Sequence, residues 1–234
     1  MHIFYCRRDI RIITVSTVLT LILIGAIIYS TYLYTSRETV FSFPLLGYGV
    51  VIDPGHGGYD PGATRGDIYE KDIVLEISRH IELILGKKGA KVVMTREDDE
   101  DLLELPADSR KRRELSNRLK IIARSDADIL ISIHANWMES PVWSGSQTFY
   151  KNDEESKRLA EVIQEELVAG LQNTDREAHE GAYFILERSP VPAVIIEVGF
   201  ISNPEEIKLL LDPEYQKKVA LAISKGVFRY FKEK

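Results

Sequence analysis

Val50-Val51-Ile52-Asp53-Pro54-Gly55-His56-Gly57-Gly58-Tyr59-Asp60-Pro61-Gly62-Ala63 passes from a β-branched apolar segment straight into a polar, glycine-rich turn that holds one histidine. Such a run reads as a strand that delivers a side chain to a site. Gly55, Gly57 and Gly58 leave His56 with few neighbouring side chains, so a metal ion and a large substrate both have room to approach the backbone. Histidine is the commonest metal ligand and also an ordinary polar cap, and this position alone leaves the two readings open.

Three other places bear on the choice. Asp128-Ile129-Leu130-Ile131-Ser132-Ile133-His134-Ala135-Asn136 is a second apolar run that closes on a histidine, and Ala193-Val194-Ile195-Ile196-Glu197-Val198-Gly199-Phe200 is a third, interrupted by a lone carboxylate. Glu70, in Asp67-Ile68-Tyr69-Glu70-Lys71-Asp72, stands where Ile73, Val74, Ile77, Ile81, Ile84 and Leu85 begin a helical periodicity that Gly86 and Gly89 bracket. Two neutral imidazoles with one carboxylate make up the ligand set of a catalytic zinc with an open water position, and a further carboxylate nearby would serve as its base. The bland account of Glu70 is a carboxylate stabilised by a helix dipole, worth about 0.3–1 kcal/mol. Glu197 has no such account, because a charge in an apolar strand costs several kcal/mol unless it is paired or kept protonated.

The rest of the chain sets these runs in one architecture. Strands are expected at Tyr48 to Asp53, Ala90 to Thr95, Asp128 to Ile133, Gln147 to Tyr150, Tyr183 to Leu186 and around Glu197. Helices are expected after Glu70, from Asp108 to Arg124 with Leu115, Leu119, Ile122 and Ala123 on one face, and from Glu154 to Leu171. Asn203-Pro204 and Asp212-Pro213 each read as an N-cap with proline at the first helical position, opening two closing helices. Strands alternating with helices imply an α/β fold, a mostly parallel twisted sheet of about six strands with helices on both faces. In such sheets ligands bind outside the carboxyl ends of the strands, and His56, His134 and Glu197 all fall at or near such ends. Arg96-Glu97-Asp98-Asp99-Glu100-Asp101 reads as an exposed acidic turn, Arg110-Lys111-Arg112-Arg113 as a solvated helix face, and His80 as a solvated or partly packed side chain.

An N-terminal transmembrane helix precedes this domain. No charged residue occurs from Ile12 through Ser36, and a helix needs about 20 apolar residues to span a bilayer. Arg7, Arg8 and Arg11 place its N-terminus in the cytoplasm and everything after Arg37 outside. The apolar core is longer than a signal peptide requires and is followed by Tyr29, Tyr32 and Tyr34, which suit a membrane-interface belt, so an uncleaved single-pass anchor is preferred to secretion after cleavage. The expected divisions are a cytoplasmic tip and anchor at 1–36, a linker at 37–47 and a catalytic domain at 48–234. The single cysteine, Cys6, lies outside the globular part, and the formal charge of −6 argues against nucleic acid as a partner.

Taken together, Asp53-Pro54-Gly55-His56-Gly57-Gly58, Glu70-Lys71-Asp72, Ser132-Ile133-His134-Ala135-Asn136 and Glu197-Val198-Gly199-Phe200-Ile201-Ser202-Asn203-Pro204 resemble, in order, the motifs of the zinc-dependent N-acetylmuramoyl-L-alanine amidases of bacterial cell walls. The compact layout, with Gly145-Ser146-Gln147-Thr148-Phe149-Tyr150 and Asn173-Thr174-Asp175-Arg176, looks most like the germination-specific amidases of spore formers. The resemblance implies that His56, Glu70 and His134 hold Zn2+ and that Glu197 is the catalytic base. It also implies peptidoglycan as substrate, cut at the amide between N-acetylmuramic acid and L-alanine, in spore cortex maturation or germination, with an activating lipoprotein as a candidate partner. His179 stands where the germination type usually has lysine. Two rival readings use the same residues differently: a zinc wall peptidase or deacetylase, and a membrane-tethered wall-binding or regulatory protein without catalysis.

Overall fold

A computed structural model describes residues 7–35, 43–99 and 110–233, and the chain divides into two compact units, Met1–Ser42 and Phe43–Lys234. The first unit contains α1 (Arg7–Thr35), about 43 Å long at 1.5 Å per residue. Its window Thr14–Thr31 has mean hydropathy 1.9, so its length and composition allow it to cross a membrane. The Thr20 and Thr31 hydroxyls donate to the carbonyls of Ser16 and Ile27, which satisfies them within the helix as an apolar surrounding requires.

The second unit runs β1 (Gly49–Pro54), the short hairpin β2 (Thr64–Arg65) and β3 (Ile68–Tyr69), α2 (Glu70–Lys87), β4 (Lys91–Met94), α3 (Arg110–Arg124) and β5 (Ile129–Asn136). It continues with β6 (Gln147–Tyr150), α4 (Glu154–Leu171), β7 (His179–Glu180), α5 (Phe184–Arg188), β8 (Ala193–Phe200), α6 (Glu206–Leu210) and α7 (Pro213–Lys232). Six strands form one sheet in the order β4-β1-β5-β8-β6-β7. The first four are mutually parallel, β6 runs antiparallel to β8, and β7 pairs parallel to β6. The fold is therefore α/β with a mostly parallel sheet between helices.

Alternation along the strands fixes which side chains meet which layer. Val50, Ile52, Ile129, Ile131, Ile133, Val194, Ile196 and Val198 point into the larger core with residues of α2, α4 and α7. Val51, Leu130, Ala193 and Ile195 point the other way, against Ile122 of α3 and Ile185 and Leu186 of α5. Each such fully buried aliphatic side chain contributes about 1.5–3 kcal/mol, and both faces are covered, which is why these strands read as unbroken apolar runs. Asp53, Ser132, His134 and Glu197 follow the second parity, so all four belong to the α3/α5 side of the sheet.

Several boundaries differ from the sequence expectation. Leu45, within the expected linker, is fully buried in the larger core, and its N–H donates to Lys88 O, so the globular unit begins at Phe43. Tyr183 to Leu186 is not a strand: Phe184–Arg188 is a single helical turn. Adjacent Ile185 and Leu186 are both buried, which an alternating strand with one covered face would not allow, and Glu187 N bonds to Tyr183 O. In α3, Ala123 is exposed, while Glu114 and Arg118 are buried beside Ile122. The side chains of Arg110 to Arg113, the residue Cys6 and the span 36–42 lie outside the described residues. Helix α6 opens at Glu206, later than Asn203-Pro204 suggested, although Asn203 Oδ1 does accept from the N–H groups of Glu205 and Glu206. Asp212 caps α7 as expected, accepting from Glu214 N with Pro213 at the first position.

Candidate metal centre

Three chain segments converge at the carboxyl ends of β1 and β5. The loop after β1 turns sharply at His56, which takes the left-handed conformation at φ 60, and Gly57, Gly58 and Gly62 follow with positive φ. This twist turns the His56 ring back toward α2. There its Nε2 lies 3.2 Å from Glu70 Oε1, while its Nδ1 pairs with Asp60 Oδ2 at 2.8 Å. His134, two residues before the carboxyl end of β5, brings Nδ1 to 2.9 Å from the same Glu70 oxygen. The two imidazoles meet nearly edge to face, with ring centres 4.9 Å apart.

Glu70 holds the arrangement together. As the first residue of α2 it is buried, and its carboxylate also accepts the main-chain N–H groups of Ala135 at Oε1 and of Ala63 at Oε2. Burial alone would raise its pKa, but His134 and His56 outweigh it and hold the carboxyl well below the ordinary range. Burial likewise opposes charge on His56, yet Asp60 and Glu70 push its pKa up to about 9. One donor atom from each of His56, Glu70 and His134 lies within 4.8 Å of the others, so the three could hold a metal ion. Space for them depends on glycine: a Cβ at Gly55 would fall 2.3 Å from His134 Cε1, and one at Gly62 would fall 2.5 Å from Glu70 Oε2.

Glu197 faces this cluster from the next strand. It is the direct Cα partner of His134 in the β5–β8 ladder, and it pairs with Gln147 of β6 on its other side. Its Oε2 is sealed from solvent and has no hydrogen-bond partner among the described residues. Burial pushes its pKa up to about 7; Glu70 adds to the rise, and the two histidines oppose it. A cavity of about 260 Å³ opens here, lined by Gly55, His56, His134, Tyr183, Phe184 and Ile195 among others. A more open groove of about 740 Å³ along α2 and β4 includes half-buried His80 but, among the described residues, no comparable set of donors.

The four residues singled out in the sequence are thus brought together. His179 is not among them: it is exposed on β7 and pairs with Phe149. Several residues were not foreseen. Asp60, which holds His56 Nδ1, carries no signal of its own within the glycine-rich turn. Asp99, in the acidic turn, accepts from Gly58 N and from Lys71 Nζ, strapping that turn to the glycine loop. Arg118 reaches from α3 to the same loop, and the one available signal was its helical spacing, four residues after Glu114 and four before Ile122.

A family model described as N-acetylmuramoyl-L-alanine amidase matches residues 50–229. The germination-specific N-acetylmuramoyl-L-alanine amidase of Bacillus subtilis is 44% identical over 199 residues, covering 83% of this chain and 84% of that protein. The CwlD amidase from Clostridioides difficile, solved in complex with the GerS lipoprotein, superposes with a TM-score of 0.78 at 37% identity, covering 80% of this chain and all of that one. An N-acetylmuramoyl-L-alanine amidase from Clostridium difficile 630 superposes with a TM-score of 0.72 at 34% identity, covering 80% of this chain and 98% of that one.

Proposed function

We propose that this chain, which belongs to the N-acetylmuramoyl-L-alanine amidase family, is a zinc-dependent hydrolase of peptidoglycan acting in spore cortex maturation or germination. It cuts the amide between the lactyl group of N-acetylmuramic acid and the L-alanine of the stem peptide. The observation that carries this reading is Glu197: a carboxylate oxygen sealed from solvent and without a hydrogen-bond partner among the described residues, in register with a histidine of a three-donor cluster. An orphaned buried oxygen costs stability and calls for a use.

The donor set fits zinc. Zn–N and Zn–O bonds of about 2.0–2.1 Å in tetrahedral geometry put donors about 3.3 Å apart; Glu70 Oε1 lies 3.2 Å from His56 Nε2 and 2.9 Å from His134 Nδ1, and the full set of three lies within 4.8 Å, so the shared carboxylate matches and the set closes further on an ion. His56, Glu70 and His134 are the ligands in this reading. Asp60 orients the His56 ring through Nδ1, as metal-binding histidines commonly require of a carboxylate. When bound, the ion lowers the pKa of its water toward about 7 and polarises the scissile carbonyl. Glu197 takes the proton from the attacking water and gives it to the departing L-alanine nitrogen as the C–N bond breaks, leaving a muramoyl carboxylate and a free amine. Burial, which raises its pKa in the metal-free protein, favours its accepting a proton.

Helix α1 is the membrane anchor in this reading, with the globular unit outside the cell and Arg7, Arg8 and Arg11 within. A lipoprotein partner is proposed from the likeness to the CwlD–GerS complex. The test is mass spectrometry of purified wall treated with the full chain, with and without a chelator. Free L-alanine amino termini that disappear on chelation, and in Glu197→Gln, support the assignment; released acetate, shortened peptides or chelator-resistant cleavage refute it.

A further inference from the structure

Beneath the His56 loop lies a buried cluster of charge that the proposed chemistry does not use. Asp53, Arg96, Glu114 and Arg118 are each at most 5% exposed. Arg118 donates through Nη1 to Asp53 Oδ1 at 2.6 Å and to Pro54 O at 2.7 Å. Through Nη2 it donates to Glu114 Oε1 at 2.7 Å and to the main-chain oxygen of His56. Arg96 donates to Pro54 O at 3.1 Å, Gly55 O at 2.8 Å and Lys71 O at 2.8 Å. The carbonyls of three consecutive residues, Pro54, Gly55 and His56, are therefore all held by two guanidinium groups. Asp53 in turn accepts from Thr95 Oγ1 at 2.6 Å and from Ser132 Oγ at 2.7 Å, which fixes the guanidinium to β1, β5 and the end of β4.

A buried ion-pair cluster is a poor way to gain stability, since apolar side chains of similar volume often serve as well or better. Its output here is direction. Arginine presents several donors in a rigid planar fork, so the carbonyls it binds are held in orientation as well as in place. The residue at the end of that fork, His56, has the unfavourable left-handed backbone that turns its ring toward Glu70.

We propose that Arg118 is a positioning residue for the metal centre: by gripping the His56 carbonyl it holds the left-handed turn, and through it the imidazole, in place against Glu70 and His134. The inference rests on reading His56 as a metal ligand. Its effect falls on metal affinity more than on folding, because lysine in its place keeps the charge beside Asp53 and Glu114 but loses the fork.

The experiment measures zinc dissociation constants by chelator competition, and melting temperatures of the metal-free protein, for the full chain and four variants. Arg118→Lys is expected to weaken zinc about 10- to 100-fold, the range seen when groups supporting a ligand are lost. Glu114→Gln, which loosens the guanidinium without removing it, weakens zinc by less and serves if Arg118→Lys does not fold. Ile122→Val, a packing change on the same helix, lowers the melting temperature and leaves zinc affinity at the wild-type value. His56→Ala separates the two levels of the argument: if it binds zinc as the wild type does, the ligand assignment itself is wrong. If His56→Ala fails to bind while Arg118→Lys and Glu114→Gln stay within about twofold of wild type, only the positioning role is overturned. It is also overturned if Ile122→Val weakens zinc as much as Arg118→Lys for the same loss of melting temperature.

Discussion

Gly55→Ala is a one-methyl perturbation aimed at the proposed metal centre. The backbone at Gly55 is outside the left-handed region, so alanine meets no conformational obstacle there. The added Cβ, however, would fall 2.3 Å from Cε1 of His134 and 2.6 Å from both ring nitrogens. Restoring a contact of 3.4 Å means moving the ring by about 1.1 Å, several times the roughly 0.2 Å that a metal–ligand distance tolerates. A displacement of about 1 Å at a reacting group costs on the order of 100-fold in rate, and a lost ligand costs more. The fold has less to lose. The substitution gains about 0.4–1 kcal/mol from the unfolded chain and loses about 1–3 kcal/mol to overpacking, toward the low end because the His134 side chain is 24% exposed and has room to swing outward. The expected net loss is under about 2 kcal/mol, or less than about 8 °C in melting temperature. Zinc content after gel filtration, zinc affinity by chelator competition and muropeptide release read the effect. A Gly55→Ala protein that binds zinc and cleaves wall like the wild type would refute the placement of the His134 ring.

Asp60→Asn leaves an acceptor near Gly62 N but removes the negative charge from His56 Nδ1, and zinc affinity is expected to fall about 10- to 100-fold with little change in melting temperature. In the metal-free protein the raised His56 pKa means that its bound proton stabilises the fold fully below the unfolded value of 6.5, with that contribution lost as pH rises through about 9. Zinc must displace that proton, so apparent affinity should climb about tenfold per pH unit from 7 and level off near 9; a flat profile in chelator competition would contradict it. Burial favours a neutral Asp53, but Arg118, Thr95 and Ser132 outweigh it and depress its pKa, so its stabilisation is present above the unfolded value of 3.8 and is lost as pH falls; the melting-temperature gap between wild type and Asp53→Asn should narrow below pH 3.8. Gly226→Ala places a Cβ 2.6 Å from Ile163 Cα, a backbone atom of α4 that cannot yield without separating α4 from α7, and about 1–3 kcal/mol should be lost in chemical denaturation with zinc affinity unchanged.

The sequence carried most of the sheet because strands covered on both faces cannot hide their composition. β1, β5 and β8 are apolar at nearly every position, so His134 and Glu197 were conspicuous where those runs broke. Glu70 was legible through the periodicity of α2 behind it. Tyr183 to Leu186 was not, because four apolar residues fit either a strand or one helical turn, and the packing of Ile185 and Leu186 against the α3 side decides between them. Arg118 and Arg96 were hidden for a different reason. Charged residues on a helix or in a turn ordinarily face solvent, and only the carbonyls of the His56 loop, folded over them, give them a buried role. The acidic turn is exposed at Glu97, Asp98 and Asp99 as expected, but the partners that tie Asp99 down, Gly58 N and Lys71, come from other parts of the chain and leave no local signal.

Because His134 and Glu197 are paired partners in adjacent parallel strands, the gap between them is set by the sheet's own spacing, about 4.8 Å, and by no loop. A single inserted or deleted residue in either strand would rotate one of them to the side packed by α2, α4 and α7, where neither belongs. Evolution can lengthen, shorten or redecorate the rim around this core to suit a different wall polymer. The two strands themselves have no such latitude, and their lengths should stay constant across descendants whose substrates diverge.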